Sequence, residues 1–359
     1  MSTAAPPVTP AVRRPAVAPA LRAIASSVGA VLLAFALCAI LIALWQVNPL
    51  TAYLALFDGA FGSWNSLAET LLRAVPLTFT GLAVAIAFRG GAFNLGGEGQ
   101  LFVGATAAAA VGLNAAMLPP LLLIPLMILA AALAGALWSS LAGVMKLRLG
   151  ANELITTIML NYIAIYLISY LLHGPMQEAA GYLAQTERLS RATEFPDLIP
   201  RTRLHMGALL ALVMVFVMHF ALWHTVWGYK LRVVGLNART ALNSGMKVGA
   251  LSLSAFLVSG ALAGLAGYME LIGVQHRMIE NFSPGFGYTG IIVALLGRTN
   301  PFGVLAAAIL FAALQVGGTS MQSAAGVPST LTQIIQGVVV LFVIGRGAGE
   351  LFSRMLKRA

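Results

Sequence analysis

Ten apolar runs occupy most of this chain, at about residues 24–45, 68–88, 98–116, 120–145, 154–172, 206–227, 249–273, 288–298, 302–318 and 330–346. Most approach the roughly 20 residues that a helix needs to cross the hydrocarbon of a bilayer. The run at 288–298 is too short and reads as a half-helix. Charge is scarce: 9% of the residues are Asp, Glu, Lys or Arg, against 59% hydrophobic, where a soluble domain carries about a quarter charged. Such a chain cannot cover itself with charge, so lipid is the expected solvent for most of its surface. The predicted fold is all-α: a polytopic integral membrane protein of about ten transmembrane passes, one of them short or broken. Residues 1–20, rich in Pro, Ala and Val, predict a disordered tail. Residues 21–350 predict a single transmembrane domain, and 351–359 a second, basic tail.

The formal net charge is +10, but the basic residues sit at the ends of apolar runs and form no stripe. Nucleic acid is therefore not an expected partner, and anionic lipid head groups are the natural counter-charges. With the N-terminus inside, fifteen of the twenty-one Lys and Arg fall on the cytoplasmic side, whereas Asp58, Glu69, Glu178, Glu187, Glu194, Asp197 and Glu280 fall outside. That skew predicts cytoplasmic N- and C-termini. The first run is longer than the apolar stretch of a signal peptide, and Gln46 to Leu50 offers no small-residue cleavage site. The lone cysteine, Cys38, allows no intrachain disulfide and no cysteine-based metal framework, so helix packing is its expected role. No metal or other cofactor is predicted. The longest external connection, about 173–205, balances its acidic and basic residues. It reads either as a receiver for an external partner or as a solvated cap.

Two segments bring polar residues to membrane depth. Between the second and third runs lie Phe93, Asn94, Glu98 and Gln100 among Gly90, Gly91, Gly96, Gly97 and Gly99. Glycine lets the chain leave the helix, and irregular backbone at that depth survives only inside protein or along a wet cavity. An acid there is a candidate for a solute pathway, or it caps the next helix from its first turn. The second segment opens the fifth run, where Asn152 suits an N-cap and Glu153 a first turn. Thr157 and Asn161 share one face of that helix and suit either a polar solute or a neighbouring helix. Arg73 and Glu270 both lie toward the outer side, where the expected partners are each other or backbone, and neither is assigned to a site. A faint repeat is also present: Thr80-Gly81, Val84-Ala85, Arg89 and Phe93 match Thr289-Gly290, Val293-Ala294, Arg298 and Phe302 at identical offsets. Internal repeats recur in transporters, with solute near the repeat interface.

A third segment, Tyr229 to Val248, is basic and free of acids between two long apolar runs. It predicts a cytoplasmic loop with a short helix that contacts another protein. The chain has no G-x-x-x-x-G-K-[ST] phosphate loop and no G-x-S-x-G elbow, so neither ATP hydrolysis nor hydrolase chemistry is expected of it.

Taken together, Gly91–Gln100, Gly150–Tyr162 and Val234–Met246 resemble the permease subunits of bacterial ABC importers. The resemblance is to the ribose and branched-chain amino-acid permease group, in the branch tied to nucleoside and simple-sugar uptake, and it runs from about residue 65 to 345. It implies an all-α permease of the inner membrane that works by alternating access. The implied partners are a cytoplasmic ABC ATPase, a second homologous permease and an external substrate-binding lipoprotein. The coupling loop of that family maps onto Gly235, Asn237, Ala241 and Gly245, with Leu242 and Asn243 standing where relatives often carry alanine and an aromatic residue. A helix from Asn237 would present Ala241 and Gly245 on one face, while Arg239 and Lys247 would meet acids of the ATPase. The expected solute pathway comprises Phe93, Asn94, Glu98, Gln100 and Asn161, and the expected solute is a nucleoside. A simple sugar, or an ion-coupled secondary transporter, is the alternative.

Overall fold

One helix runs buried through the middle of the bundle. In the computed structural model, which describes residues 17–342 apart from 329 and 339, α3 (Trp64–Arg89) is buried without interruption from residue 74 to 87. Its sequence allows this, because between Ala74 and Ala87 it carries no charge and its polar side chains are threonines. Thr78 and Thr80 spend their hydroxyls on the carbonyls of Ala74 and Pro76, one turn back. The helices α10 (Val248–Glu270), α11 (Phe286–Leu296), α12 (Pro301–Ala325) and α7 (Gly207–His224) wrap it. Outside them lie α1 (Val17–Leu44), α2 (Pro49–Phe61), α4 (Gly97–Asn114), α5 (Pro120–Leu149) and α6 (Glu153–Leu172), with two short helices, α8 (Val226–Leu236) and α9 (Ala238–Asn243), at one end. No strand occurs among the described residues, and the fold is all-helical.

Six helices are long and apolar enough to cross a membrane: α3, α5, α6, α7, α12, and α10 with the π-helical turn Leu271–Gln275 that continues it. The pair α1–α2, bent by 119° between Leu44 and Pro49, is at most a seventh. The ten expected passes are therefore not all matched by such helices. The run at 98–116 supplies α4, as long as α7 but less apolar, and the runs at 288–298 and 330–346 supply the shorter α11 and a helical stretch at 330–338. The first run continues into α2, which the apolar pattern did not separate. Asn48 caps α2, accepting the Leu50 N–H at 2.9 Å, and Pro49 occupies its first turn. The bulk of both expected tails, residues 1–16 and 343–359, lies outside the described residues, and α1 begins at Val17.

Close helix crossings are made at glycines. A Cβ on Gly260 would strike the carbonyl of Gly135, and one on Gly104 the backbone of Gly264, so α4, α5 and α10 touch backbone to backbone. Small residues allow this approach where lipid offers no hydrophobic drive for helices to associate. The outer faces of α5, α6 and α7 carry exposed apolar side chains such as Leu129, Leu137, Ile163 and Phe216, as a lipid-facing or subunit-facing surface should.

The long connection after α6 folds as a cap. It pairs its backbone with the chain after α10, through Thr186 N–H to Met278 and Glu280 N–H to Ala184. Arg188 meets Glu194 at 3.0 Å and Arg277 meets Glu178 at 3.7 Å. His205 closes the cap, stacked on Phe195 and only 3% exposed.

Candidate functional site

The polar residues around the break between α3 and α4 converge on one buried node. Asn94 donates through Nδ2 to Gln100 at 3.0 Å, Ser259 at 2.8 Å and Ser139 at 3.3 Å. Its Oδ1 accepts from Gln100 Nε2 and from the Gly96 N–H, both at 2.9 Å. Asn161 accepts the Gly99 N–H at 2.8 Å and donates to the Leu95 carbonyl at 3.0 Å, while Thr157 accepts from the Leu95 N–H. Glu98 reaches α11, where it accepts the Gly287 N–H at 2.6 Å, with the Gly285 and Tyr288 amides and the Ser283 hydroxyl around it. It therefore caps α11 as well as opening α4, and a carboxylate at a helix N-terminus is well placed against the helix dipole. All four residues are nearly inaccessible, and Phe93 beside them is 48% exposed.

The node lies deep. Ser139 is ten residues from the end of α5 and Ser259 eleven from the start of α10, about 15 Å along either axis at 1.5 Å per residue. Yet Arg89, five residues before Asn94, is at the basic end of the bundle. Its guanidinium donates to the carbonyls of Thr299 and Arg298, in the turn between α11 and α12, at 3.1 and 3.2 Å. Residues 90–96 thus climb from the end of the bundle to its middle as irregular chain. Every polar group they carry must be met by protein at that depth, and the asparagines and glutamine do so.

The repeat has a structural counterpart. Thr80 and Gly81 of α3 face Gly290 and Val293 of α11, so the two repeated segments pack on each other. The two helices end side by side.

Two polar cavities open beside α3. One, of about 400 Å³, lies among Glu69, Arg73, Arg203, Glu270, Gln275 and Phe286. Here Glu69 stands 3.5 Å from Arg73 and 3.8 Å from Arg203, and Gln275 donates to Glu270 at 3.2 Å. The other, of about 380 Å³, shares Arg73 and Pro284 with it and is walled by α12 and the 330–338 helix. Arg73 and Glu270 thus line one site, which spacing alone did not indicate. The signal for the second cavity was present: Gln315, Thr319 and Gln322 recur at helical spacing on the otherwise apolar α12, the mark of a polar stripe.

At the basic end, α8 and α9 form a knob. Thr225 caps α8 and Asn237 caps α9, its Oδ1 accepting the N–H groups of Arg239 and Thr240 at 3.0 and 3.1 Å. Leu236 and Leu242 stand out at 88% and 63% exposure, and Arg239 and Lys247 are exposed too. Gly245 has φ +76° with open space around its Cβ position, so glycine is there for backbone conformation. Ala241 departs from the expectation. It is wholly buried against its own chain, because a six-residue helix needs one apolar face to hold it down. Ala241 and Gly245 therefore do not share an outward face. Gly235 is likewise explained within the chain, since a Cβ there would hit the Arg89 carbonyl. Between knob and core, Trp223 carries the guanidinium of Arg89 4.8 Å from its ring centroid and that of Arg232 at 4.4 Å. Cations favour the face of an indole ring.

The family described as branched-chain amino acid transport system / permease component matches residues 66–344, which takes in the node, both cavities and the knob. The chain belongs to this permease family. Its relatives include the glucose ABC transporter permease protein TsgB13 of Haloferax volcanii, 40% identical over 90% of this chain and 87% of the relative. The guanosine ABC transporter permease protein NupP of Bacillus subtilis is 36% identical over 92% of this chain and 95% of the relative. The nucleoside ABC transporter permease protein NupB of Lactococcus lactis subsp. cremoris is 32% identical over 88% of each. No solved structure matches. In this permease the sequence motifs fall into two places. Gly91–Gln100 and Gly150–Tyr162 build the node, and Val234–Met246 builds the knob.

Proposed function

We propose that this permease is one half of the membrane pore of an ABC importer for nucleosides, seated in the bacterial inner membrane with both termini in the cytoplasm. The basic end of the bundle is then cytoplasmic, and the cap over residues 173–205 faces the external substrate-binding lipoprotein. A second, homologous permease covers an exposed face, and a cytoplasmic ATPase grips the knob. Counting the bent α1–α2 pair, α4, α11 and the 330–346 run as crossings gives ten passes, within one transmembrane domain over 21–350 flanked by short tails.

The observation that carries this reading is the position of the knob. Gly235 at the end of α8 packs on the carbonyl of Arg89 and beside Gly91, the first residues of the arm that climbs to the node. A push on α9 is therefore delivered to the one segment at mid-depth that is not helical. Asn237, Arg239, Leu242, Gly245 and Lys247 present the contact surface, and Ala241 and Gly235 fix it to the body. Asn94, Glu98, Gln100 and Asn161 belong to the pathway as the frame that holds its broken element, with Phe93 at its edge. ATP binding by the partner closes the motor, moves the knob and exchanges outward and inward states without chemistry on the solute.

For the solute, α6 presents Tyr162, Tyr166 and Tyr170 one turn apart, at 50%, 71% and 69% exposure. The hydroxyl of Tyr162, near the middle of α6, is costly against lipid, so this face suits the wet side of a pore shared with the second subunit, where rings can meet a base. The similarity to the Haloferax glucose permease favours a second reading, a simple sugar. Uptake of labelled guanosine and glucose by cells with and without the gene separates them. Loss of guanosine uptake alone supports the first reading, loss of glucose uptake alone the second, and loss of neither overturns both.

A further inference from the structure

The cavity between α3, α11, α12 and the 330–338 helix holds polar atoms that the described protein leaves unmet. Thr332 is only 6% exposed, and neither its Oγ1 nor Gln315 Oε1 has a hydrogen-bond partner among the described residues. Buried polar groups in native proteins are almost always paired, and more so at membrane depth. Orphans on residues that line a cavity therefore mark a place where something else supplies the partner. The rest of the lining is of the same kind: the amides of Gln322, Gln333 and Gln336 and the hydroxyl of Thr289. Arg73 at its rim is the single cation of the lining and has Glu69 beside it at 3.5 Å. The volume, about 380 Å³, lies in the range of small-molecule sites.

From this we infer that the cavity is a solute subsite of the permease, built to take the vicinal hydroxyls of a sugar ring. Amides and hydroxyls both donate and accept, as a diol does. Arg73 offers one more donor, since its Nε has no hydrogen-bond partner among the described residues, and with Glu69 3.5 Å away it faces a solute as half of an ion pair and not as a free charge. Among the described residues no aromatic side chain lines the cavity, so it holds the ribose of a nucleoside, or a free hexose, and leaves the base to another surface. Gly318 makes room for this arrangement, since a Cβ there would strike Thr332. The assignment rests on reading the chain as half of an importer for nucleosides or sugars.

The test uses the complete transporter with its partners. Cys38→Ala removes the only thiol of the chain, and Gln333→Cys then places one at the exposed mouth of the cavity, to react with a membrane-impermeant maleimide from outside. Saturating guanosine should slow this reaction at least about fivefold by occupancy, and glucose should do so instead if the solute is a sugar. Ser323→Cys, exposed on α12 but outside the lining, should react at the same rate throughout. Separately, Thr332→Val and Gln315→Leu should each lower the maximal uptake rate about tenfold, the factor expected for one lost hydrogen bond to the moving solute, at an unchanged amount of assembled complex. Absence of labelling at Gln333→Cys, labelling that neither solute slows, or full uptake by both Thr332→Val and Gln315→Leu would each overturn the subsite. Failure of the unsubstituted transporter to move either solute would instead overturn the parent reading.

Discussion

Asn161 shows how much one side chain supports at the residue scale. Its amide holds both the Leu95 carbonyl, inside the α3–α4 break, and the Gly99 N–H, in the first turn of α4. Asn161→Leu leaves two backbone groups unmet in an apolar interior. At about 1–3 kcal/mol each, the expected loss is on the order of 3 kcal/mol, read as a lowered melting temperature in detergent. An unchanged melting curve would mean that water replaces the amide. His205 makes a second prediction, in the outer cap. Burial, with His276 and Arg203 nearby, pushes its pKa down from 6.5 to about 4, and its Nδ1 accepts the Gly207 N–H at 3.0 Å, which fixes the neutral form. Between these two values the unfolded chain binds a proton that the folded chain refuses. This contribution is therefore complete above pH 6.5 and is lost as pH falls toward 4, on the order of 3 kcal/mol in total. His205→Gln should flatten the pH dependence of thermal stability in that window. Equal slopes in both proteins would show that His205 titrates freely when folded.

Elements differ in how far the sequence exposed them. The long helices were legible because apolar length alone defines them, and the break at 90–96 because glycines and polar residues interrupt two apolar runs. The corner into α2 was not, since its apolar residues continue those of α1, although Asn48-Pro49 is a helix-start signal. The direction of Glu98 was also hidden, because its partner Gly287 lies 189 residues away and only tertiary structure brings α11 to it. In α9 the spacing of Ala241 and Gly245 suggested one docking face, yet a helix this short must commit Ala241 to its own anchorage. Under the proposed coupling, the outward contact falls to Leu242, which is exposed. Leu242→Asp should reduce solute-stimulated ATP hydrolysis by the assembled transporter at least about tenfold, the loss of one well-packed apolar contact. Its melting temperature should stay unchanged, because Leu242 is exposed and exposed substitutions usually stay within about 0.5 kcal/mol. Normal stimulation would remove α9 from the coupling surface. Gly245→Trp is a harsher version, because φ +76° strains any side chain there.

At the scale of the molecule, α3 is a buried axis, and the knob, the arm and the cavities are arranged around it. The knob, the arm and the α11–α12 turn meet at Arg89, whose carbonyl packs on Gly235, whose guanidinium donates to the carbonyls of Arg298 and Thr299, and which the arm directly follows. The polar cavities lie toward the other end of α3, around Arg73. A displacement at the knob can thus reach the solute side by way of the node, without unfolding a membrane-spanning helix. This arrangement needs an outside source of work, since the chain has no phosphate loop of its own. The decisive measurement is nucleoside accumulation in proteoliposomes that hold the permease pair and its binding protein, with and without the ATPase. Accumulation above the equilibrium level should appear only when the ATPase and internal ATP are both present. Equal accumulation by the permease alone, driven by an ion gradient, would contradict it.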